Sequence, residues 1–484
     1  MILFSRNLLL LFHHFLSKKF LDFKPIGCGF RRLSWLFLFG IFLFVNGAFS
    51  QNQGGDIAEI LESVEKLHGN ELVVVDPGSL EIDRQVLESG IHSIIREALD
   101  STAFPGCQIL LAKDGKIFYE QSFGYHTYDH QVEVKNSDLY DLASITKTTA
   151  ATLALMKLYE NGDFDPDLLM GTYFPNLARS NKKKLIMREV LAHQGRLKSW
   201  IPYWSESKRK NGKYKARTVS SDSSANYPFK LSESGLYMHK NFIERKLYKI
   251  IKRSKLLKKK EYVYSGLSFY LYPDLIQRIT GKPFDEFLQE EFYQPLGAKT
   301  MGFNAGKYFP LERIVPTEVD TFFRMQTLQG VVHDEGAAMM KGISGNAGLF
   351  SNARDLAKVY QMLLNGGVYE GRQYLKASTI KEFTKCQYPE DGNRRGMGFD
   401  KPLLVYDEAK SSVAKQASPQ SFGHSGYTGT LVWADPANGL LFIFLSNRVH
   451  PTRNNRKIYT LNVRPRIHNL VYDLLEQAQV NSQE

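Results

Sequence analysis

Apolar and polar positions change period several times along the chain, and each change marks an element. Residues Ile57 to Leu67 carry a helical pattern, followed by Val73-Val74-Val75 and the turn Asp76-Pro77-Gly78. A second amphipathic stretch, Val86 to Leu99, predicts another helix. After Phe104-Pro105-Gly106, the segments Gln108 to Lys113 and Lys116 to Phe123 read as two strands of a hairpin, turned at Asp114-Gly115. Ser144 to Asn161 is rich in Ala, Thr, Leu and Met with few charges, which predicts a helix buried nearly all round, with Gly162 at its C-terminal cap. The middle then reads mainly helical, at Met187 to His193, Phe242 to Ile251, Phe269 to Ile279, Phe284 to Phe292 and Ala353 to Asn365. Strand patterns return at Gly429 to Ala434 and Leu440 to Leu445, before a closing helix from Arg466 to Gln477. Strands near both ends and helices between them predict α+β organisation: one antiparallel sheet built from N- and C-terminal parts, interrupted by an all-helical region.

Composition narrows the class. In 484 residues, 43% apolar and 23% charged with 18 prolines, there is material for a substantial core and none of the bias of collagen-like or disordered chains. Cys28, Cys107 and Cys386 are too few for a disulfide scaffold and lack zinc-site spacing; whether Cys107 and Cys386 pair stays open. The first fifty residues stand apart, with six Lys/Arg against the single acid Asp22 and an apolar run from Trp35 to Val45 behind Arg31 and Arg32. This pattern predicts a secretion signal, cut before Gln51 after Ala48-Phe49-Ser50; an uncleaved anchor over residues 33–49 is the alternative. Cys28 resembles a lipidation site only faintly, because the apolar run begins after it instead of ending at it. The expected organisation is therefore a signal peptide or signal anchor over 1–50, an extension over 51–84 and one domain over 85–484, exported to the periplasm or cell envelope.

Charge is concentrated in one place. Residues 205–260 hold seventeen Lys/Arg against four acids, while the rest of the mature chain is net acidic. This basic insertion reads either as a solvated excursion or, around Lys249 to Lys260, as a basic amphipathic helix facing an anionic membrane or cell-wall polymer. Nucleic acid is not expected as a partner, since an exported chain seldom meets it and no aromatic-interleaved RNA-binding motif is present. Oligomeric state is not legible.

Candidate chemistry begins at Ser144-Ile145-Thr146-Lys147. Three residues apart on a helix, Ser144 and Lys147 share a face, so the amine can reach the hydroxyl and act as its base. The same Ser-x-x-Lys spacing also starts at Ser63, Ser180, Ser205, Ser207, Ser378 and Ser412, in Lys-rich or polar surroundings. Only Ser144 opens a long apolar helix, where its backbone N–H can serve an oxyanion. Tyr264-Ser265-Gly266 precedes the helical run Leu267 to Ile279, where a tyrosine can relay a proton between nucleophile and leaving group. His424-Ser425-Gly426 precedes a strand pattern, and the N–H of Tyr427 can complete an oxyanion hole beside a substrate lying along the sheet edge.

The ordered triple of Ser-x-x-Lys, Tyr-Ser-x and His-x-Gly resembles the β-lactamase-related serine hydrolases, which include class C β-lactamases, D-alanyl-D-alanine carboxypeptidases and lactamase-like esterases. The resemblance covers about residues 85–475. Leu191-Ala192-His193-Gln194, Gly124-Tyr125-His126 and Ala347 to Ser351 with Asp355-Leu356-Ala357 fit it too. Pro316-Thr317-Glu318 and Val332-His333-Asp334-Glu335 look like the branch sometimes attached behind family-3 β-N-acetylglucosaminidases, although the residues between leader and domain are far fewer than the ~250 of a barrel. The resemblance implies a β-lactamase/transpeptidase-like fold, with Ser144 as acylated nucleophile, Lys147 as its activating partner, Tyr264 as general base or relay and His424 on the edge strand. Ser144 and Tyr427 would hold the oxyanion, with Ser425 and Gly426 beside the substrate, and no metal or organic cofactor is implied.

Two departures bear on function. Gly266 stands where the family motif usually ends in Asn or Asp, and leaves no side chain to hold a substrate amide or the Lys147 amine. His193-Gln194-Gly195-Arg196 replaces an expected His-x-Ser-Gly loop. Esters need less leaving-group assistance than amides, so esterase or slow peptidase activity on a small ester or cell-wall-type peptide survives the loss of Asn better than lactam hydrolysis does. The competing reading is a non-catalytic, penicillin-binding-like module that senses or tethers peptidoglycan peptides. His126 and His130 are four apart but have no third ligand in register, and His333-Asp334-Glu335 reads as a loop-ordering turn that could face the cleft.

Overall fold

Asp114 and Gly115 both take positive φ, and they turn Gly106–Lys113 (β2) back onto Lys116–Gly124 (β3) as the hairpin pattern predicts. A computed structural model describes residues 71–481; the leader, the helical pattern at 57–67 and the last three residues lie outside the described residues. Val73–Val74 (β1) runs parallel to β3 and extends the sheet from within the stretch read as an extension. On its other side β2 pairs antiparallel with the C-terminal meander of Phe422–Ser425 (β4), Leu431–Asp435 (β5) and Leu440–Ser446 (β6). The order across the sheet is β1-β3-β2-β6-β5-β4. Two ends of the chain thus share one sheet, and β4 is its edge.

The two faces of this sheet are covered by different cores, and the strand period of two sorts residues between them. Ile109, Leu111, Phe442 and Phe444 join Arg84–Asp100 (α1) and the closing helix Val463–Asn481, through Leu87, Ile91, Ile95, Ile467 and Val471. Leu110, Ala112, Leu441 and Ile443 instead face Leu153–Glu160 and Ala353–Leu364. Because both faces are buried, the centres of β2 and β6, Ile109 to Ala112 and Leu440 to Leu445, are unbroken apolar runs.

The middle of the chain is not all-helical as expected. Within the basic segment, Val219–Ser220, Phe229–Ser232 and Leu236–Met238 form a three-stranded sheet. Strands of two to four residues in a Ser- and Lys-rich sequence are too short to show a period, so the sequence carries no strand signal there. The segment is also not a solvated excursion: Phe242, Leu247 and Ile251 are buried in the main core, with Ile250 and Leu256 packed against it. The apolar face that a membrane-lying helix would offer to lipid is therefore spent inside the fold, and lysines remain outward. Among the described residues no helix is long and apolar enough to cross a membrane. Cys107 and Cys386 are both free, Cys107 being buried in β2.

Candidate active site

Ser144 is presented by a locally strained turn. Tyr140–Asp141 pairs with Leu349–Ser351, and the buried Asp141 carboxylate then accepts hydrogen bonds from the N–H of Ala143 (2.8 Å) and of His333 (2.7 Å). Burial pushes this carboxyl above its ordinary range, against the pull of His333. Ala143 has φ +46°, a left-handed conformation costly for a residue with a Cβ, and the Asp141 bond fixes it there. The chain proceeds through one 3₁₀ turn, Ala143–Ile145, and a π-helical stretch, Lys147–Thr152, before becoming α-helical at Leu153. A single α-helix from Ser144 is thus not what forms. Thr148 and Thr149 both donate their hydroxyls to the Ile145 carbonyl (3.0 and 2.7 Å), competing with the backbone for that acceptor.

This opening still brings the predicted partners together. Lys147, 2% exposed, donates from Nζ to Ser144 Oγ (2.8 Å) and to the carbonyl of Asn346 (2.8 Å). The Tyr264 hydroxyl lies 3.0 Å from the same Oγ. The loop His193 to Arg196 fixes Tyr264: the His193 carbonyl takes the Val263 N–H (2.9 Å), its Nδ1 takes the Ser265 N–H (3.2 Å), and its ring packs on Tyr264 at 4.6 Å. Burial, with Arg395, His424 and Lys147 nearby, pushes the His193 pKa well below the ordinary histidine range. Gly266 leaves open space, the nearest atoms to a built Cβ being Asn346 Cβ at 3.9 Å and Lys147 Cε at 4.0 Å. The backbone of Asn346 occupies the lysine where the side chain missing from Gly266 cannot.

His424 lies within β4 itself, a strand of Phe, Gly, His and Ser that its composition does not announce. Its Nδ1–H donates to the Ser425 carbonyl (2.7 Å), which leaves Nε2 as acceptor for the Arg395 guanidinium (3.3 Å). Burial first, then Arg395 and Lys147, push its pKa down to about 3, so the imidazole is neutral. Its ring stands 5.9 Å from that of Tyr264, and among the described residues it makes no hydrogen bond to Ser144. Arg395, whose guanidinium also lies 5.2 Å from the Tyr264 ring, is backed by Asp400, which burial opposes but Arg395 and Arg394 hold down to about 2. Sequence reasoning missed Asp141, Asn346, Arg395 and Asp400. Of these only Asp141, three residues before Ser144, carried a local signal.

The turn after β4 docks on the segment preceding Ser144. Thr428 donates to the Asp141 carbonyl (2.8 Å) and Thr430 to that of Leu142 (3.2 Å). A Cβ at Gly426 would come within 2.6 Å of the Leu142 carbonyl, so only glycine permits this approach. A cavity of about 400 Å³ opens over the site, lined by Ser144, Lys147, Tyr264 and Gly266 together with His333, Asp334, Glu335, Tyr427 and Arg453. Tyr427, 49% exposed, stacks on His333 at 5.7 Å; Ser425 and Gly426 do not line the cavity. Asp334 caps the short helix Glu335–Ala338, so this acidic turn both orders its loop and faces the cleft. His126 pairs with Asp138 (2.9 Å) and His130 stacks on Tyr125, well apart in role.

Comparison with known proteins identifies the family. Residues 91–463 match the Beta-lactamase family. A relative from Escherichia coli (strain K12), named "Putative D-alanyl-D-alanine carboxypeptidase", is 32% identical over 376 residues, covering 72% of this chain and 79% of that one. A relative of the same name from Salmonella typhimurium (strain LT2) is 29% identical, covering 80% and 88%. Among solved structures, a penicillin-binding protein homologue from Caulobacter crescentus superposes with TM-score 0.56 at 18% identity, over 81% of this chain and 98% of that one. EstCE1, a hydrolase with promiscuous acyltransferase activity, does so with TM-score 0.53 at 17% identity, over 79% and 99%. With the fold, the ordered motifs and this match in hand, the chain belongs to the β-lactamase family of serine hydrolases.

Proposed function

We propose that this chain is an exported hydrolase that forms an acyl-enzyme on Ser144 and cleaves a small ester or a cell-wall-type peptide. The observation that carries the reading is the convergence of Lys147 Nζ and the Tyr264 hydroxyl on one oxygen, Ser144 Oγ, in the lining of the cavity. Export rests on the leader pattern, and the peptide alternative draws on the names of the relatives.

In the proposed reaction Ser144 Oγ attacks the substrate carbonyl, and its proton passes to the Lys147–Tyr264 pair as the C–O bond forms. The tetrahedral oxyanion is held by the N–H groups of Ser144 and Tyr427, whose mutual placement depends on the Gly426 and Thr430 contacts to Leu142. Tyr264 then returns the proton to the leaving group as the second bond breaks. Water, activated by the same pair, adds to the acyl-enzyme, and Ser144 leaves with its proton restored. His424 and Arg395 act here as positioning residues for Tyr264, since neither touches Ser144. With Gly266, no side chain at that position grips a substrate amide, which favours esters over unactivated amides.

The test is mass spectrometry of the mature protein after exposure to a fluorophosphonate or a β-lactam, beside Ser144→Ala. An adduct on the parent that the variant lacks is the expected result. A folded parent that takes neither reagent would replace this reading by the non-catalytic, peptidoglycan-tethering module.

A further inference from the structure

Lys198, Ser199 and Trp200 form a wall between two hollows. On one side Ser199 and Trp200 line the cavity over Ser144. On the other, Lys198 and Trp200 line a groove of about 540 Å³ together with Lys215, Lys246, Lys249 and Arg253. Trp200 belongs to both and is 52% exposed.

The wall is stitched to the catalytic motif and to the basic segment at once. Its Lys198 carbonyl accepts from Ser265 Oγ (2.6 Å) and its Ser199 carbonyl from the Gly266 N–H (3.3 Å). Two residues earlier, Arg196 and Leu257 exchange hydrogen bonds, 2.7 Å from the guanidinium to the Leu257 carbonyl and 2.8 Å from the Leu257 N–H to the Arg196 carbonyl. The groove is therefore a fixed neighbour of the nucleophile.

Its charge is unsatisfied. Lys246, Lys249 and Arg253 follow one another at i, i+3 and i+7, on one face of the helical run Ile243–Arg253. Among the described residues none of the three pairs with a carboxylate, nor does Lys198. The one acid on the groove, Glu206, is matched by Lys215 at 3.7 Å. Elsewhere in the basic segment Lys230 is paired with Glu233 and Lys260 with Glu189, while Lys252, Lys255, Lys258 and Lys259 also have no carboxylate partner among the described residues, so what sets the groove apart is that its unpaired cations line one hollow. Like charges stacked on one helix face oppose folding, and an anionic occupant relieves them. Ile250 and the apolar stems of these long side chains line the hollow together with their charges.

We infer that this groove is an extended substrate subsite, which takes a carboxylate-bearing segment of the same molecule whose acyl group reaches Ser144. The inference rests on the hydrolase reading above and adds a substrate class to it: esters or peptides with an acidic arm. Carboxylates are the anionic groups that such substrates carry, the lysines and Arg253 supply their counter-charges, and the Trp200 indole is the flat surface over which the arm crosses.

The test compares esters with a tetraglutamyl arm, placed on the acyl or on the leaving side, with their tetraglutaminyl counterparts. The parent is expected to prefer one of the acidic esters about tenfold in kcat/KM, through KM. In Lys246→Ala/Lys249→Ala/Arg253→Ala, and for the parent in 0.5 M salt, that preference falls toward one, because three exposed ion pairs worth a few-fold each are removed or screened. A preference that the triple variant retains, or none in the parent, overturns the inference. If Ser144 forms no acyl-enzyme with any ester, the hydrolase reading fails separately. Anisotropy of fluorescein-labelled tetraglutamate on Ser144→Ala then decides the groove alone: tenfold weaker binding on adding the triple substitution supports it, and equal binding refutes it.

Discussion

Replacing Tyr264 by Phe removes one atom, the hydroxyl oxygen 3.0 Å from Ser144 Oγ, and leaves the ring between its neighbours. Those neighbours are His193 at 4.6 Å and His424 at 5.9 Å, with the Arg395 guanidinium 5.2 Å from the ring centre. None of these contacts uses the hydroxyl, so the fold loses only one hydrogen bond, about 1 kcal/mol. The reaction loses more. If Tyr264 carries a proton in the transition state, acylation should slow by about 10²–10⁴-fold, which corresponds to about 3–5 kcal/mol of barrier. Because Lys147 remains on Ser144 Oγ at 2.8 Å, residual acylation above that of Ser144→Ala is expected. The assay is stopped-flow release of nitrophenol from an activated ester, with thermal unfolding as a control. A folded variant that acylates within about threefold of the parent would refute the relay.

Three further outcomes follow from the same structure. His424 and His468 are buried neutral with pKa values pushed down to about 3, and His193 shifts the same way. Their unfolded forms take up protons below about 6.5, so stability falls as pH drops from about 6.5 toward 3, by roughly 2 kcal/mol each for His424 and His468 at pH 5, with His193 acting in the same direction. A thermal-melting series should show this slope, and His468→Gln should flatten it; a melting temperature constant from pH 7 to 5 would contradict it. Gly426→Ala forces a Cβ to 2.6 Å from the Leu142 carbonyl, which unlike the Thr430 hydroxyl cannot rotate away. It should cost about 1–3 kcal/mol and, by displacing the Tyr427 N–H, slow acylation about 10–100-fold, measured by burst kinetics; a parent-like burst would show that the turn tolerates the shift. Arg324→Met strands the fully buried Asp320 and the carbonyls of Val332 and His333 that Arg324 holds. Asp320 keeps the N–H groups of Phe322 and Phe323, so denaturant unfolding should show a loss near 3 kcal/mol, and a loss below 1 kcal/mol would argue against the pair's role.

The class of fold and the grouping of Lys147 and Tyr264 around Ser144 are written in local sequence. The hairpin at Asp114-Gly115, the apolar runs of β2 and β6 and the helices at either end are local patterns, and periodicity and turn chemistry read them directly. Ser144, Lys147 and Tyr264 were legible because two share one turn of chain and the third sits in an ordered motif. The rest depends on contacts between distant parts of the chain. The π-helical stretch after Ser144 arises from threonine hydroxyls competing for one carbonyl, and β4 is a strand only because β5 offers it an edge. Asn346 reaches Lys147, and Arg395 the Tyr264 ring, across more than a hundred residues of chain, so no spacing could announce them. The basic segment shows the same limit most plainly: its charge is a property of sequence, but which face is free is settled by what Leu247 and Ile251 pack against. Hydrophobic burial is non-directional, so a pattern fixes which residues go inside while only the assembled chain fixes what they meet there.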